Sequence, residues 1–282
     1  YEDGGWRTLG AAANGQIQCL VNHAGSLVIG GTFTSIGAAP ANRVARWDGA
    51  QWVPIGAGLN QSVTALGVIS GELYAAADGV HRWTGSAWQR LGVWIGTGVK
   101  SLIEFQGSVI AAGGFVTSAG MPGQYIARWD GGAWQPVGEL SGPVNSAANY
   151  HGVLHAGGMF TIGGFAQPQA VVRWDGAAWR AFSGGLEGAT QALAVHDSGL
   201  VAAGTFYPLF TFHVAVWNGS WTRLPLIGSL DGSPIGAISC SGDLLVWGTT
   251  LHVWQSNNTS HVDHLLRFDG LGWNPLAGEY PA

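Results

Sequence analysis

A short phrase, Trp-Asp-Gly-x-x-Trp, recurs along the whole sequence and restricts the fold more than any other feature. The final Trp of each copy is followed by that of the next at intervals of 46, 36, 46, 45, 42 and 52 residues. This is the period of a four-stranded blade of a β-propeller. The copies, some of them shortened or substituted, lie at 3–6, 47–52, 83–88, 129–134, 174–179, 217–221 and 268–273.

Each repeat unit divides into four predicted strands, which we name A to D. Strand A alternates apolar and polar residues, as in 63–68, and strand B is a small apolar run that ends in two glycines, as in 27–31. Strands C and D, such as 43–47 and 52–56, flank the Asp-Gly of the phrase. We predict a hairpin with a two-residue turn between them, because glycine adopts the positive φ that this turn needs. Prolines recur in strand D and indicate an edge strand, where a missing N–H breaks no ladder.

The composition fits a β protein rich in glycine and aromatic residues. Of 282 residues, 47 are Gly and 15 are Trp, 47% are hydrophobic and only 10% are charged. The net charge is −5 and Lys100 is the only lysine, which argues against nucleic-acid binding, since that needs a basic surface. No apolar run approaches the ~20 residues of a membrane span, and no secretory leader is visible. Scarce lysine with abundant Gly, Trp, Ser and Thr favours an extracellular or cell-surface protein.

The residues LVIGGTF, followed by RVARWDGAQWVPIG, resemble a kelch repeat. The chain is similar to the propellers of kelch proteins and of the central domain of galactose oxidase, over essentially its whole length. With the period, this resemblance implies an all-β fold, a six-bladed β-propeller of four-stranded kelch-like blades in a single domain, 1–282. The copper site of galactose oxidase is not recognisable, so no cofactor is expected. The predicted blades are 11–56, 57–92, 93–138, 139–183, 184–226 and 227–278.

Aligning strand A of the six units brings one polar column together. If A is the innermost strand, its alternation points this column into the central channel near one mouth. Two interpretations stay open: the side chains solvate a water-filled channel, or they bind a small ligand or ion with Lys100 as the only cation. A metal bound there would be weak and hard, such as Ca²⁺, because the column contains no carboxylate. The members are Gln18, Thr64, Lys100, Asn145, Gln191 and Gly236.

The two cysteines, Cys19 and Cys240, match no metal or redox motif. Cys19 directly follows the polar column, whereas Cys240 lies further along its own A strand. This offset is more than about 10 Å along a strand, so a disulfide between them is not favoured. We therefore expect two free, buried thiols.

The connection between strands B and C varies most in length, and we expect it to lie on the face where strand A begins. It is nearly absent in the second unit and longest in the sixth, from Thr249 to Leu265. In the fifth unit it is aromatic, which suggests a protein contact or a carbohydrate platform, or else a lid folded over neighbouring blades. The interface candidates are Tyr207, Phe210, Phe212, His213 and Trp254.

The long sixth connection also carries histidine and aspartate residues whose spacing permits a metal site but matches no ligand motif. The competing interpretation is ordinary polar surface. The weak metal candidates are His252, His261, Asp263 and His264.

An Arg precedes the first Trp in most copies of the phrase, as at Arg46 and Arg173. We interpret it as structural, either pairing with the Asp of the turn or stacking on Trp.

These features favour a non-enzymatic protein that binds a protein partner, or further copies of itself, through the B–C loop face. A carbohydrate-binding propeller is the alternative, since sugars stack on aromatic rings. A third hypothesis is an enzyme acting at the channel mouth through Lys100 and nearby histidines, although no paired carboxylates or nucleophile–base arrangement supports it.

The phrase occurs seven times, yet only six complete A–B–C–D units lie between its copies. Residues 1–10 therefore form an additional D-type strand, because the last unit already has its own D strand at 273–276. Three explanations stay open. The strand belongs to a truncated preceding unit, which would make seven blades, or lies spare on the rim, or is donated to a neighbouring molecule.

Overall fold

The structure is a computed structural model that describes residues 8–93, 98–116, 124–207, 211–224, 235–240, 244–254, 260–268, 271 and 273–275. This part of the chain consists of strands joined by turns and loops. It contains no helix long and apolar enough to cross a membrane. The chain divides into two compact units, one spanning Thr8–Val144 and the other comprising Asn145–Ala282 with Tyr1–Arg7.

Six four-stranded antiparallel sheets are the blades of an all-β propeller, as the repeat predicts, and each has the strand order A–B–C–D. The first unit holds three of them. Blade 1 comprises β1 (Ile17–His23), β2 (Ser26–Gly31), β5 (Val44–Trp47) and β6 (Trp52–Pro54), with the short pair β3 (Ser35–Ile36) and β4 (Ala39–Pro40) between B and C. Blade 2 comprises β7 (Ala65–Ile69), β8 (Glu72–Ala76), β9 (Val80–Trp83) and β10 (Trp88–Arg90). Blade 3 comprises β11 (Val99–Phe105), β12 (Ser108–Val116), β13 (Gln124–Trp129) and β14 (Trp134–Pro136).

The second unit holds the other three blades. Blade 4 comprises β15 (Val144–Tyr150), β16 (Val153–Phe160), β17 (Gln169–Trp174) and β18 (Trp179–Ala181). Blade 5 comprises β19 (Gly188–His196), β20 (Gly199–Phe206), β21 (Thr211–Trp217) and β22 (Trp221–Arg223). Blade 6 comprises β23 (Ile235–Cys240), β24 (Leu244–Trp254), β25 (Ser260–Phe268) and β26 (Trp273–Pro275). Every D strand is only three residues long and lies at the edge of its sheet, so the prolines in it break no ladder.

The Trp-Asp-Gly-x-x-Trp phrase forms the C–D hairpin. Its two Trp residues are direct cross-strand partners, as Trp47 is to Trp52, and their ring centroids lie 5.4 Å apart. The prediction of a two-residue turn was wrong, because four residues separate the paired Trp residues in blade 1 and three separate those in blade 5. The prediction of a positive φ at the glycine is confirmed, with φ of 104° at Gly49. Edge-on or tilted contact between the two Trp rings stabilises the hairpins of blades 1 to 5.

The Asp of the phrase closes this longer turn by accepting hydrogen bonds from the backbone. In blade 3 the Asp130 carboxylate accepts from the N–H of Ala133 at 2.7 Å and of Gly132 at 2.9 Å, and Gln135 donates to its other oxygen at 2.8 Å. These bonds favour the ionised form and lower the pKa of Asp130 to about 2. The phrase needs Asp because a short carboxylate reaches the two following N–H groups.

Strand A carries a β-bulge in blades 1, 3, 5 and 6, and in blades 1 and 3 this explains one glycine of the strand-B pair. Opposite the bulge stands the second glycine of the pair in blade 1 and the first in blade 3, where a backbone carbonyl occupies the space of a side chain. A Cβ on Gly31 would lie 1.9 Å from Gln16 O, and one on Gly113 would lie 2.1 Å from Gly98 O. Blade 2 has two alanines there, and its A and B strands pair without a register shift. The residues skipped by the ladder are Gln18, Lys100, Gln191 and Gly236 in blades 1, 3, 5 and 6.

A phenylalanine two residues beyond a strand-B glycine is a core anchor in four blades. Each of these side chains is fully buried. They follow the pattern Gly-x-Phe, which recurs in the sequence. The four are Phe33, Phe115, Phe160 and Phe206.

Candidate functional site

The polar column of strand A, predicted to face a channel, coincides with the position of the β-bulge in blades 1, 3, 5 and 6. Gln18 and Lys100 are exposed and Gln191 is half-buried. Since a bulged residue is left out of the ladder, its side chain takes a direction that the regular alternation does not give. Ligand binding by this column remains a prediction.

Two members of the column tie adjacent blades together. The Thr64 hydroxyl of blade 2 donates to Val99 O of blade 3 at 2.7 Å. In the second unit, the Asn145 amide of blade 4 donates to Thr190 O of blade 5 at 2.9 Å. In both cases the acceptor is the residue just before the next column position, so the two bonds repeat one structural device.

Cys19 takes the same role in blade 1, one residue later because Gln18 is the bulge. Its thiol donates to Val63 O of blade 2 at 3.6 Å. Cys19 forms no disulfide, and burial raises the pKa of its thiol to about 12, so it is a poor nucleophile. The side chain of Cys240 lies outside the described residues.

Two buried polar atoms lie beside the Asn145–Thr190 tie. Thr190 Oγ1 and Gln191 Oε1 have no hydrogen-bond partner within the described part of the chain. Buried atoms of this kind commonly bind an ordered water or an ion. In blade 5 two buried polar atoms at the column are therefore available to bind a ligand. This is the blade in which a ligand-binding role of the column is best supported.

A cleft of about 370 Å³ opens on blades 4 and 5 and collects residues from several connections. Phe165 belongs to the B–C connection of blade 4, Glu187 to the D–A connection that follows, and Tyr207 to the B–C connection of blade 5. Arg223, at the end of β22, completes the polar lining. The B–C and D–A connections therefore share one face here, as expected, and we call this surface the loop face of blades 4 and 5.

The backbone of Tyr207 is held from both sides of the cleft. Its N–H donates to Glu187 O at 3.0 Å, and the Arg223 guanidinium donates to Tyr207 O. Side chains on such an anchored segment are positioned in advance for a ligand, which lowers the entropy lost on binding.

Below the cleft lies Gln169, which is fully buried. Its Nε2 donates to Gln167 O at 3.1 Å, while its Oε1 has no partner among the described residues. Gly185 of the cleft lining passes directly over this oxygen, since a Cβ there would lie 2.5 Å from Oε1. Glycine is needed at 185 to let the cleft floor approach the amide.

The other predicted interface residues lie mostly in strands. Phe212 and His213 belong to β21, where they pair with Thr205 and Gly204, so placing them in a loop was wrong. Trp254 ends β24. Phe210, and the side chains of Phe212, His213 and Trp254, lie outside the described residues. Of the five candidates, Tyr207 is the one whose side-chain surroundings are defined.

The expected long loop of blade 6 is a two-stranded extension instead. Strands β24 and β25 continue their pairing from Leu251–Asp263 to Trp254–Ser260, past a register shift after Trp247. The weak metal candidates therefore lie in paired strands, with His252 opposite Val262 and His261 opposite Val253. Alternating β-branched and polar residues favour this extension over a loop. The side chains of His252, His261, Asp263 and His264 are not among those described.

Within the described residues, no three His, Cys, Asp or Glu side chains come close enough together to hold a metal ion. The proposed metal group of blade 6 remains untested, since its side chains lie outside that part.

Two of the arginines before Trp have partners other than the predicted ones, whereas the charges of Arg46 and Arg128 add to the backbone hydrogen bonds that lower the pKa of the turn carboxylates Asp48 and Asp130. Arg82 pairs with Glu72 of strand B at 3.3 Å, and Arg173 lies over the Phe182 ring at 5.8 Å. The turn Asp of blade 4 pairs instead with a D-strand residue, Arg180, at 2.7 Å.

A second groove, of about 390 Å³, lies between blades 1 and 2 on the side of the A–B and C–D turns. His23, Arg46 and Trp83 line it, and His23 Nε2 is bonded to Gly71 O at 3.1 Å.

The junction of blades 4 and 5 buries a histidine against aromatic rings. His155 stacks on Phe182 with centroids 5.6 Å apart, and Phe182 contacts Trp217 at 4.5 Å. Burial lowers the pKa of His155 to about 4, a hydrogen bond to Val153 O opposing the shift only in part.

Phe165, Glu187 and Arg223 are candidate site residues that the sequence did not reveal. They lie far apart in the sequence and occupy different positions within their repeats. Only the packing of blade 4 beside blade 5 brings them together. The sole available signal was the length of the B–C connection of blade 4, between Phe160 and Gln169.

No protein-family model matches the sequence, and no curated protein matches it significantly. Solved structures do resemble the fold. The β-propeller domain of Cps50 (Swd1) from Myceliophteria thermophila superposes with a TM-score of 0.59 at 12% identity, covering 92% of this chain and 88% of that one. Streptogramin B lyase gives 0.55 at 12% identity over 90% and 84%. The computationally designed Ika8 protein gives 0.53 at 17% identity over 86% and 73%.

These likenesses establish the β-propeller fold. At such low identity they carry no statement about ligand or activity, because propellers host many unrelated functions.

Proposed function

We propose that the protein is a non-enzymatic binding propeller that engages a partner protein through the loop face of blades 4 and 5. The observation that carries this proposal is the exposure of two large apolar side chains at the B–C end of blade 4, which we call the apolar patch. Met159, at the end of β16, is 58% exposed, and Phe165, in the B–C connection of the same blade, is 38% exposed. Exposed apolar side chains of this size next to a cleft are typical of protein-binding surfaces.

The cleft beside this patch supplies an anchor site. Tyr207 offers an aromatic ring with a polar tip on a backbone fixed at both ends. Glu187 and Arg223 supply opposite charges, which would orient a partner without requiring a net charge on it. An aromatic or arginine side chain of the partner would fit a cavity of about 370 Å³.

The repeat type and location belong to the same proposal. The paired glycines, the aromatic hairpin and the A–B–C–D order support kelch-like blades. The composition, poor in lysine and rich in Gly and Trp, supports an extracellular or cell-surface location.

A second candidate is carbohydrate binding in the same cleft. One exposed aromatic ring, a carboxylate and a guanidinium around a glycine floor would suit a single sugar ring stacked on Phe165. A glycan array tests this candidate, since a hit that Phe165→Ser abolishes would favour a sugar over a protein.

The proposed protein-binding function is tested by selecting a random peptide library displayed on phage against the wild-type chain. We expect enriched peptides whose affinity falls at least about tenfold with Phe165→Ser or Tyr207→Ser. The matched control is Val195→Ser, which removes an exposed apolar side chain from β19 of the same unit. Peptides that bind equally to all three variants would contradict the proposal.

A further inference from the structure

In blades 2 and 3 the Trp hairpin receives the end of the preceding D strand. Trp88 Nε1 of blade 2 donates to Ile55 O at 3.0 Å, and Trp134 Nε1 of blade 3 donates to Leu91 O at 3.1 Å. The glycine that follows each acceptor lies flat against the other Trp of the hairpin. At Gly56, with φ of 60°, a Cβ would lie 2.7 Å from Cζ3 of that ring. We call this arrangement the hairpin socket and its occupant the D end.

Blade 1 has the same socket, filled by the N-terminal segment. Trp52 Nε1 donates to Leu9 O at 2.7 Å. Gly10 has φ of 69°, and a Cβ on it would lie 2.7 Å from Cζ3 of Trp47. Leu9 and Gly10 thus stand where Ile55 and Gly56 stand on blade 2.

Leu9 and Gly10 belong to none of the six sheets. Every blade has its own D strand, including blade 6, where Trp273 pairs with Phe268. The sequence Trp6-Arg7-Thr8-Leu9-Gly10 has the spacing of the D ends that follow Trp52 and Trp88. The departure of Leu9 and Gly10 would therefore unpair no ladder of any blade.

The D end in blade 1 is also the more weakly buried one. Leu9 is 45% exposed, whereas Ile55, its counterpart on blade 2, is 4% exposed. One hydrogen bond and a half-exposed leucine give little resistance to exchange.

We propose that the Trp47–Trp52 socket of blade 1 is an assembly site at which the chain's own Leu9–Gly10 is exchanged for the same segment of a second copy. The ligand is an extended peptide with the pattern Trp-x-x-Leu-Gly, held by the Trp52 N–H and by close approach of its glycine to Trp47. Exchange of an identical segment forms a dimer easily, because the contacts between the two copies are the same as those already made within one chain. This proposal is independent of the cleft on blades 4 and 5.

The test uses full-length chains with Gly10→Val, which places a side chain against Trp47 and empties the socket. The control is Gly25→Val, because Gly25 has a similar φ of 78° and nothing within 4 Å of its Cβ position. The probe is a fluorescent peptide of residues 1–10. We expect Gly10→Val protein to bind it at least about tenfold more tightly than wild type or Gly25→Val, because its socket is vacant. A peptide carrying Gly10→Val, or a protein that adds Trp52→Phe, should not bind.

Sedimentation velocity then tests the second copy as occupant. Wild type and Gly25→Val should form a reversible dimer as their concentration approaches about 1 mM, the effective concentration of a short tether, whereas Gly10→Val should stay monomeric. If folded Gly10→Val protein does not bind the peptide, the proposal that the socket is a binding site is wrong. If the peptide binds but the wild-type protein forms no dimer, the proposal that a second copy fills the socket is wrong. If Gly10→Val fails to fold, Leu9→Asp takes its place, because Leu9 is half-exposed and a charge there should also displace the segment from the socket. The same results are expected for Leu9→Asp in both experiments.

Discussion

The hydroxyl of Thr64 donates a hydrogen bond to the backbone carbonyl of Val99, 2.7 Å away in the next blade. Asn145 and Cys19 make the corresponding bond at two other junctions. Three different side chains therefore perform one task at neighbouring A strands. A carbonyl accepts from any donor of suitable reach, which is why the column varies in residue type while its role at these junctions stays the same.

Replacing Thr64 by Val should lower the free energy of unfolding by about 1–2 kcal/mol, because Val99 O loses a partner in a half-buried junction. Thr64→Ser keeps the hydroxyl and should cost less than half as much. Urea denaturation followed by circular dichroism measures both variants. Equal losses for Val and Ser would mean that packing, and not the hydrogen bond, holds the junction.

The indole N–H of Trp88 should matter more than that of Trp221. Trp88 donates to Ile55 O at 3.0 Å, whereas Trp221 Nε1 is buried without a partner among the described residues. Trp88→Phe should therefore destabilise the protein by about 1 kcal/mol more than Trp221→Phe. Denaturation midpoints of the two variants give the comparison, and a larger loss for Trp221→Phe would contradict it.

Replacement by alanine should destabilise the protein at one of two neighbouring glycines and leave its stability almost unchanged at the other. A Cβ on Gly113 would lie 2.1 Å from Gly98 O, whereas one on Gly114 would meet nothing within 4 Å. Gly113→Ala should cost about 2–3 kcal/mol, because backbone must move to admit the methyl group. Gly114→Ala should change stability by less than about 0.5 kcal/mol. Thermal unfolding of the pair tests this, and similar melting temperatures would refute the role of the bulge.

His155 should make the protein less stable in acid. Burial lowers its pKa to about 4 from the ordinary value of 6.5, so the unfolded chain binds the proton more tightly than the folded one. The contribution of the neutral ring is thus complete above pH 6.5 and is lost as the pH falls toward 4, by about 3 kcal/mol in all.

His155→Phe keeps a ring against Phe182 and removes this titration. Urea unfolding at several pH values should show a stability difference between wild type and variant that shrinks or reverses as the pH falls through this window. A constant difference would show that His155 does not titrate as its burial requires. The buried His81 is present in both proteins and cancels in the comparison.

The blades could be predicted from the sequence because their signals are local. The Trp pair, the Asp that caps the turn and the positive φ of Gly49 all lie within six residues of one another. The turn length was wrong because a two-residue hairpin and a capped four-residue turn both use Asp-Gly, and only the Asp48 hydrogen bonds to the N–H of Ala50 and Gln51 distinguish them. The strand extension of blade 6 was missed because its polar residues resemble a loop.

The sequence by itself determined the repeat, the strand order of each blade and the presence of one D-type segment too many. Only the tertiary structure decided that Leu9–Gly10 fills the socket of blade 1, and that Phe165, Tyr207 and Arg223 share a cleft. The physical reason is the nature of these contacts. A hairpin is closed by side chains with distinctive chemistry, whereas the junctions between blades use backbone carbonyls such as Leu9 O and Ile55 O. Every residue carries a carbonyl, so no pattern of residue types reveals which one an indole or a hydroxyl will find.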